Sequence, residues 1–185
     1  NLFDAKKLAQ TLKINYFLVP INNFLKAYES LPWKLNQGAS ANLPARQRAV
    51  VLYAYANSNN ALVCGTGNKT EFLLGYFTKY GDAAADFFPI GGLYKKEVRE
   101  LAKFKELPPI FHEKIPADEL WKGQTDEGEI GVSYEKIDQI LNLVVEKGKN
   151  KTQLLKAGFS KREVERILGL LKQNQHKKEP APIFS

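Results

Sequence analysis

The sequence contains few of the residues that form covalent or metal cross-links. It has one cysteine and two histidines among 185 residues. The single thiol of Cys64 cannot form an internal disulfide, and no group of cysteines and histidines has the spacing of a structural zinc site. Disulfide scaffolds and zinc modules are therefore excluded, and we predict that Cys64 is a small buried apolar residue.

Long apolar runs are absent as well. A run such as residues 49–56 is far shorter than the roughly 20 residues that cross a bilayer, and the first residues lack the basic and then apolar pattern of a signal peptide. We therefore expect a cytoplasmic protein with no membrane partner. The composition, 44% hydrophobic and 25% charged, is typical of a globular chain, and 185 residues suit one domain.

Acidic residues are scarce towards the end of the chain. The formal net charge is +7, and residues 141–185 contain ten Lys or Arg against four Glu. Such an excess attracts polyanions, either a nucleic acid or a small phosphorylated ligand. Residues 152–157 and 160–173 also have the spacing of a helix-turn-helix with a basic surface. A nucleic-acid-binding module is therefore one alternative, although it leaves residues 66–95 without a purpose.

The first third of the chain alternates helical and strand patterns. Residues 5–12 and 21–31 have helical spacing, and residues 14–20 form a short β-run that ends at proline. A turn-rich loop at 36–42 precedes a helix that starts at Pro44, runs to about residue 57 and has an apolar interior typical of burial on most sides. A buried strand at 61–65 follows. This order predicts an α/β fold, a parallel sheet flanked by helices, with ligands bound beyond Gly65.

The rest of the chain is predicted to be helical. Helices are expected at residues 93–107, 133–147, 152–157 and 160–173. The last of these begins with Ser160 and Glu163 at the spacing of a capping box.

The most informative block is residues 65–82, which read G-T-G-N-K-T-E-F-L-L-G-Y-F-T-K-Y-G-D. It lacks the glycine spacing of a Walker A loop. As a string it resembles the pattern G-T-x-N-x-x-E-x-x-x-G-Y-x-T-x-Y-G-D of ammonia-dependent NAD synthetases. Further matches to that family follow in order at 89–95, 120–127, 131–134 and 176–177. The resemblance covers nearly the whole chain, which makes it more specific than any one motif.

The resemblance implies both a fold and a reaction. The fold would be a Rossmann-like parallel sheet flanked by helices, of the adenine nucleotide α-hydrolase type, with a helical C-terminal part. In the reaction, ATP adenylates the nicotinate carboxylate of deamido-NAD, pyrophosphate leaves, and ammonia attacks the acyl-adenylate to give NAD and AMP. The resemblance further implies Mg²⁺ as cofactor, a homodimer, and no nucleic-acid partner.

The resemblance also assigns roles to individual residues. Asp82, which would bind or deprotonate ammonium, and Lys95 are the expected catalytic residues. The remaining positions are Thr66, Lys95 and Ala117 for ATP, Glu71 for magnesium, and Arg46, Lys79, Asp86, His176 and Lys177 for deamido-NAD. Ala117 stands where the family usually has a Ser or Thr, and it lacks the hydroxyl that would contact ATP.

Several of these residues also have a simpler structural interpretation. Asn68 and Glu71 have the spacing of a capping pair at a helix start, and Asp82 follows Gly81 in a tight turn. The acidic residues at 126–129, with Trp121, are expected to form a solvated lid over the site.

The family's S-G-G-x-D-S loop, which cradles pyrophosphate, has no counterpart in residues 1–185. We therefore expect residues 1–185 to be a single NAD synthetase domain that lacks the leading strand and this loop, and to show little or no synthetase activity if they are the whole chain. The synthetase part of a glutamine-dependent NAD synthetase is the closest alternative.

Overall fold

The structure, a computed structural model, describes residues 2–114 and 125–184. Helices account for most of the regular structure in this part of the chain. In order they are α1 (Leu2–Leu12), α2 (Asn22–Lys26), α3 (Gln37–Ser58), α4 (Lys69–Leu74), α5 (Lys95–Phe104), α6 (Ile110–Glu113), α7 (Asp126–Ile130), α8 (Tyr134–Leu141), α9 (Lys151–Lys156), α10 (Lys161–Gln173) and α11 (Gln175–Lys178). A 3₁₀ turn, Ala27–Ser30, extends α2, and a π turn, Asn142–Glu146, extends α8. None of the helices described could cross a bilayer, given their length and polarity.

The prediction of a strand at residues 14–20 is wrong. These residues have no regular structure, and Ile14, Phe17 and Val19 are all exposed. A strand needs a neighbour that accepts its backbone hydrogen bonds, and no such neighbour pairs with this segment among the residues described. The apolar composition of the segment indicated β-structure, but composition alone does not supply the pairing.

Helix α3 differs from its prediction at its start and on its surface. It begins at Gln37, where the predicted loop lies, because Asn36 caps it by accepting a hydrogen bond from the Ala39 amide at 2.8 Å. Pro44 lies inside the helix, where a proline lacks the backbone donor and crowds the carbonyl four residues before it. The predicted burial on most sides is also wrong, since Leu52 and Tyr55 are 52% and 54% exposed.

The predicted strand at 61–65 appears as a single parallel bridge between Cys64 and Phe87. Two backbone hydrogen bonds hold it, from Gly65 to the Phe87 carbonyl at 2.8 Å and from Asp86 to the Val63 carbonyl at 2.9 Å. Cys64 is exposed, contrary to prediction, because side chains alternate along extended backbone and here Val63 points inward. Within the described ranges no longer β-ladder forms, so the helical part of the fold prediction is seen and the sheet is not.

The core lies mainly in the C-terminal part of the chain, which is helical as predicted. Five helices, α4, α7, α8, α9 and α10, contribute its fully buried aliphatic side chains, among them Leu74, Ile137, Leu154 and Ile167. Burying each such side chain contributes roughly 1.5–3 kcal/mol. The predicted helices at 93–107, 152–157 and 160–173 match α5, α9 and α10 within three residues at each end, and the predicted helix at 133–147 is α8 together with its π turn. Helices α6, α7 and α11 were not predicted. This packing anchors α4, the helix that follows the bridge.

Candidate functional site

The turn between the bridge and α4 sets the position of Glu71. Asn68 Oδ1 accepts a hydrogen bond from the Glu71 amide, and Glu71 Oε2 accepts one from the Asn68 amide, both at 3.1 Å. This is the predicted capping box, and it satisfies two backbone donors at the helix start. Gly65 is required before the turn because a Cβ there would overlap the Phe88 ring. Glu71 is therefore held at the first turn of α4 with one carboxylate oxygen, Oε1, pointing away from the cap.

Lys95 forms an ion pair with that oxygen. Its ammonium lies 2.9 Å from Glu71 Oε1, and the two side chains are only 19% and 20% exposed. The same ammonium lies 5.3 Å from the centre of the Tyr134 ring. The Coulomb attraction between charges shielded from water in this way is stronger than that between exposed charges, since it is less screened. The structure thus brings together two of the residues predicted to bind metal and ATP.

Asp126 lies behind this pair and not in a lid. It is 5% exposed, and its Oδ2 accepts a hydrogen bond from the Tyr134 hydroxyl at 2.9 Å, while its Oδ1 is buried without a hydrogen-bond partner. Burial raises the pKa of Asp126, an effect that the Tyr134 hydrogen bond and the charge of Lys95 partly oppose. Residues 126–130 form α7, in which Asp126 and Ile130 are buried while residues 128 and 129 are exposed, so the prediction of a solvated loop is wrong at Asp126. Trp121 lies outside the described residues.

Four predicted substrate-binding residues lie near the other end of α4. The Lys79 ammonium donates to the carbonyls of His176 at 2.6 Å and Glu179 at 2.9 Å, and Arg46 Nε donates to the Lys79 carbonyl at 3.3 Å. Lys177 donates to the carbonyl of Gly75 at 2.9 Å. Helix α3, the loop after α4 and the tail are thereby joined by cationic side chains.

Lys177 is the most buried cation of this group. Its ammonium also contacts the Phe77 carbonyl at 3.1 Å. Burial lowers the pKa of Lys177, and the negative charges of Asp82 and Glu129 partly restore it. Gly75 follows Glu71 by about one helical turn, so the cation group and the Glu71–Lys95 pair lie at opposite ends of one short helix.

Asp82 and Asp86 both have structural partners. Asp82 Oδ1 accepts from the Thr78 amide at 2.9 Å, as expected of an aspartate in a turn. Asp86 Oδ2 accepts from the Val63 amide at 2.7 Å, and its Oδ1 accepts from the Tyr53 hydroxyl at 3.3 Å. Asp86 therefore ties the bridge to α3. Each aspartate retains lone pairs that a ligand can use.

Comparison with known proteins identifies the family. The sequence profile of the family described as NAD synthase matches residues 1–181. The chain belongs to the NAD synthase family. It is 42% identical over 180 residues to the NH(3)-dependent NAD(+) synthetase of Archaeoglobus fulgidus, a match that covers 97% of this chain and 69% of that protein.

Solved structures support the same membership in the NAD synthase family. An NMN synthetase from Francisella tularensis aligns with a TM-score of 0.83 and 36% identity, over 98% of this chain and 71% of that one. An NH3-dependent NAD synthetase from Campylobacter jejuni aligns with a TM-score of 0.81 and 31% identity, over 100% and 71%. The helix-turn-helix and glutamine-dependent alternatives are not favoured. The basic helices α9 and α10 supply Leu154 and Val164 to the core of an NAD synthase domain.

Two further residues were predicted to bind ATP. Thr66 is exposed in the turn before α4, and Ala117 lies outside the described residues. A cavity of about 670 Å³ lies elsewhere, between α2 and α3, where Tyr28, Trp33 and Pro44 line it. It contains none of the predicted ATP residues, so we place the candidate site of this NAD synthase at Glu71 and Lys95.

The buried carboxyl of Asp126 was missed in the sequence. Its acidic neighbours made residues 126–129 resemble a solvated run, although Thr125 at a capping position already indicated a helix start. A second signal concerned Tyr134, which donates to Asp126. Tyr134 and Asp138 are four residues apart, so they share one face of the helix that also carries the buried Ile137 and Leu141, and this spacing indicated that both polar side chains are buried.

Proposed function

We propose that this protein joins ammonia to the nicotinate carboxylate of deamido-NAD at the expense of ATP, producing NAD, AMP and pyrophosphate. The observation that carries the proposal is the Glu71–Lys95 pair at the start of α4 and α5. These positions match the magnesium and ATP residues of NAD synthetases. A carboxylate beside a lysine suits a metal-bound triphosphate, whose negative charge needs cations on several sides.

Glu71 fits a magnesium ion that arrives with the nucleotide. Across residues 2–114 and 125–184 no group of three or more His, Cys, Asp or Glu side chains is arranged to hold a metal. Magnesium needs only one or two carboxylates when phosphate oxygens complete its shell. Glu71 Oε1 would supply one of these ligands, and Lys95, which occupies that oxygen here, would turn towards the phosphates. Bound magnesium would neutralise phosphate charge as pyrophosphate leaves.

The cation group at the far end of α4 would hold deamido-NAD. Arg46, Lys79 and Lys177 now donate to backbone carbonyls, contacts weaker than those a phosphate offers, because a hydrogen bond between two charged groups is stronger. His176, whose carbonyl accepts from Lys79, and Asp86, which lies at the bridge, would complete the site. We further infer that Thr66 contacts ATP and that Asp82 binds or deprotonates ammonium.

We also infer two larger features. The parallel bridge at Cys64 and Phe87 would belong to a Rossmann-like parallel sheet, the arrangement that places ligands at the carboxyl ends of strands. The protein would act as a homodimer in the cytoplasm. The exposed apolar face of α3, with Leu52 and Tyr55, supports the dimer.

A coupled assay on the purified full-length protein tests the function. ATP, magnesium and deamido-NAD are supplied with either ammonium or glutamine, and NAD is detected by a dehydrogenase that uses only the amidated dinucleotide. We expect NAD and AMP in equal amounts with ammonium, and little with glutamine. A further arm replaces deamido-NAD with nicotinate mononucleotide, since one relative is described as an NMN synthetase. Faster turnover of the mononucleotide, or no amide product at all, would overturn the proposal.

A further inference from the structure

Two buried polar side chains next to the candidate site have no role in the function proposed above. Thr70 in α4 is 0% exposed, and Asp138 in α8 is 7% exposed. Thr70 is the neighbour of Glu71 in the sequence, but its side chain points into the protein. Because an unpaired polar group in such a place is costly, both side chains need hydrogen-bond partners.

These partners form one connected network. The Thr70 hydroxyl donates to Asp138 Oδ1 at 2.5 Å and accepts from the Lys95 amide at 2.9 Å. The Lys96 amide donates to Asp138 Oδ2 at 2.9 Å. Three helices, α4, α5 and α8, therefore meet at the start of α5.

The network fixes the backbone of Lys95 from outside its own helix. The first amides of a helix have no partner within that helix. Glu97 of α5 accepts from the Tyr94 amide at 2.7 Å, whereas the amides of Lys95 and Lys96 donate to Thr70 and Asp138, which lie in other helices. Thr70 is adjacent to Glu71 in α4. Its hydrogen bond from the Lys95 amide therefore links the backbone of Lys95 to the helix that carries Glu71.

We propose that Thr70 and Asp138 are positioning residues of the ATP site, which hold the start of α5 so that Lys95 faces Glu71. This inference rests on the proposed function.

The positioning role also explains why residue 70 is a threonine and residue 138 is an aspartate. Thr70 must donate and accept with one atom, as a hydroxyl does. Asp138 receives two donors, one on each oxygen, which an ionised carboxylate accepts and an asparagine amide group cannot.

The experiment compares three variants of the full-length enzyme. Thr70→Val removes both hydrogen bonds of the hydroxyl at nearly constant volume, and Asp138→Asn replaces one of the two acceptor oxygens with an amide donor. We expect each to raise the KM for ATP about tenfold, since small displacements of a positioned group are costly, with the KM for deamido-NAD little changed. Thr70→Ser keeps the hydroxyl and should restore the wild-type KM for ATP.

Two controls separate positioning from a general loss of stability. Glu97→Ala removes a different cap of α5 and should lower the melting temperature while leaving the KM for ATP within about twofold. The second control is a double-mutant cycle with Lys95→Met, in which calorimetry measures the binding of a non-hydrolysable ATP analogue. In the Lys95→Met background, Thr70→Val should change the affinity by less than about twofold, because both substitutions act through the Lys95 ammonium.

The outcomes distinguish the two proposals. If wild-type enzyme is active but Thr70→Val leaves the KM for ATP unchanged, or adds its full effect to Lys95→Met, the positioning role is wrong and the proposed function stands. If wild-type enzyme neither binds ATP nor forms NAD, the proposed function itself fails.

Discussion

At the scale of single residues, the site combines carboxylates in contrasting surroundings. Glu71 is paired with Lys95, Asp82 accepts a backbone hydrogen bond in a turn, and Asp126 is buried beside Tyr134 with one oxygen unpaired. Burial penalises the charged form of a carboxyl, whereas a cation or an amide donor favours it. The three groups are therefore suited to different tasks, and two of them can be tested by replacing the carboxylate with an amide.

Replacing Asp82 with asparagine tests its predicted role with ammonium. The new side chain would keep an oxygen for the Thr78 amide, so the turn should survive while the negative charge is lost. We expect the KM for ammonium to rise about tenfold, since a hydrogen bond to a charged group contributes roughly 1.5 kcal/mol. Initial rates at varied ammonium check this, with the melting temperature as control. An unchanged ammonium dependence would leave Asp82 with a turn role alone.

Replacing Asp126 with asparagine tests the effect of burial on its charge. Because burial raises the pKa of Asp126 in the folded protein, folded protein binds the proton more tightly than unfolded protein, and stability falls as pH rises through that raised pKa. The variant has no such loss. We expect Asp126→Asn to be more stable than wild type at neutral pH, and the difference to shrink below about pH 4.

Urea unfolding without nucleotide or divalent cation measures this difference at each pH. Asp4→Asn is the contrasting control, because the hydrogen bond from Lys114 lowers the pKa of Asp4, so that variant should be less stable than wild type at neutral pH. A pH-independent difference between Asp126→Asn and wild type would contradict the role of burial.

At the scale of elements, local signals predicted what local chemistry determines. The capping pairs Asn68–Glu71 and Ser160–Glu163 are seen as predicted, since a cap involves residues three apart. The absence of a strand at 14–20 and the exposure of Cys64 could not be predicted in the same way. Strand pairing and side-chain burial depend on which other segments pack against a segment, and the sequence of one segment does not determine them.

Helix α10 gives an element-scale prediction from its cap. Glu163 accepts from the Ser160 amide at 2.9 Å and pairs with Lys136 at 2.5 Å, and these contacts, led by the Lys136 hydrogen bond, lower the pKa of Glu163 to about 2. The stability that they contribute is present above the unfolded pKa of about 4.5 and is lost as pH falls towards 2.

We therefore expect Glu163→Gln to unfold at lower urea than wild type at neutral pH, and the gap to close below about pH 3. Glu135→Gln, at an exposed position in the first turn of α8, is the matched control and should show a smaller gap. If both variants behave alike across this range, the cap and the ion pair of Glu163 contribute nothing specific to α10.

At the scale of the whole molecule, some residues of the site were predicted from the sequence and others were not. Residues close in sequence or at element starts, such as Glu71 and Lys95, could be predicted from motifs, and the structure brings them into contact. The hydrogen bonds of Asp126, Thr70 and Asp138 were not predicted, because they form where α4, α5, α7 and α8 pack together. A motif predicts which residues contact a ligand, but the residues that support them depend on the packing of distant segments.

The apolar face of α3 provides the whole-molecule prediction. Leu52 and Tyr55 are three residues apart, so they lie on one face of the helix, and the ring of Phe17, itself 69% exposed, lies 6.0 Å from that of Tyr55. A second copy of the chain would cover this face in the proposed homodimer. Leu52→Glu should then weaken the dimer about 100-fold or more, because an unpaired charge would be buried at the interface.

Light scattering coupled to size-exclusion chromatography over a range of protein concentrations measures the effect. Phe104→Glu makes the same kind of change at a 78% exposed position at the end of α5, away from α3, and should leave the dimer intact. Loss of the dimer in Leu52→Glu alone supports the α3 interface. A wild-type protein that stays monomeric at all concentrations, or equal weakening by both variants, contradicts it, because the exposed apolar face would then need a different explanation.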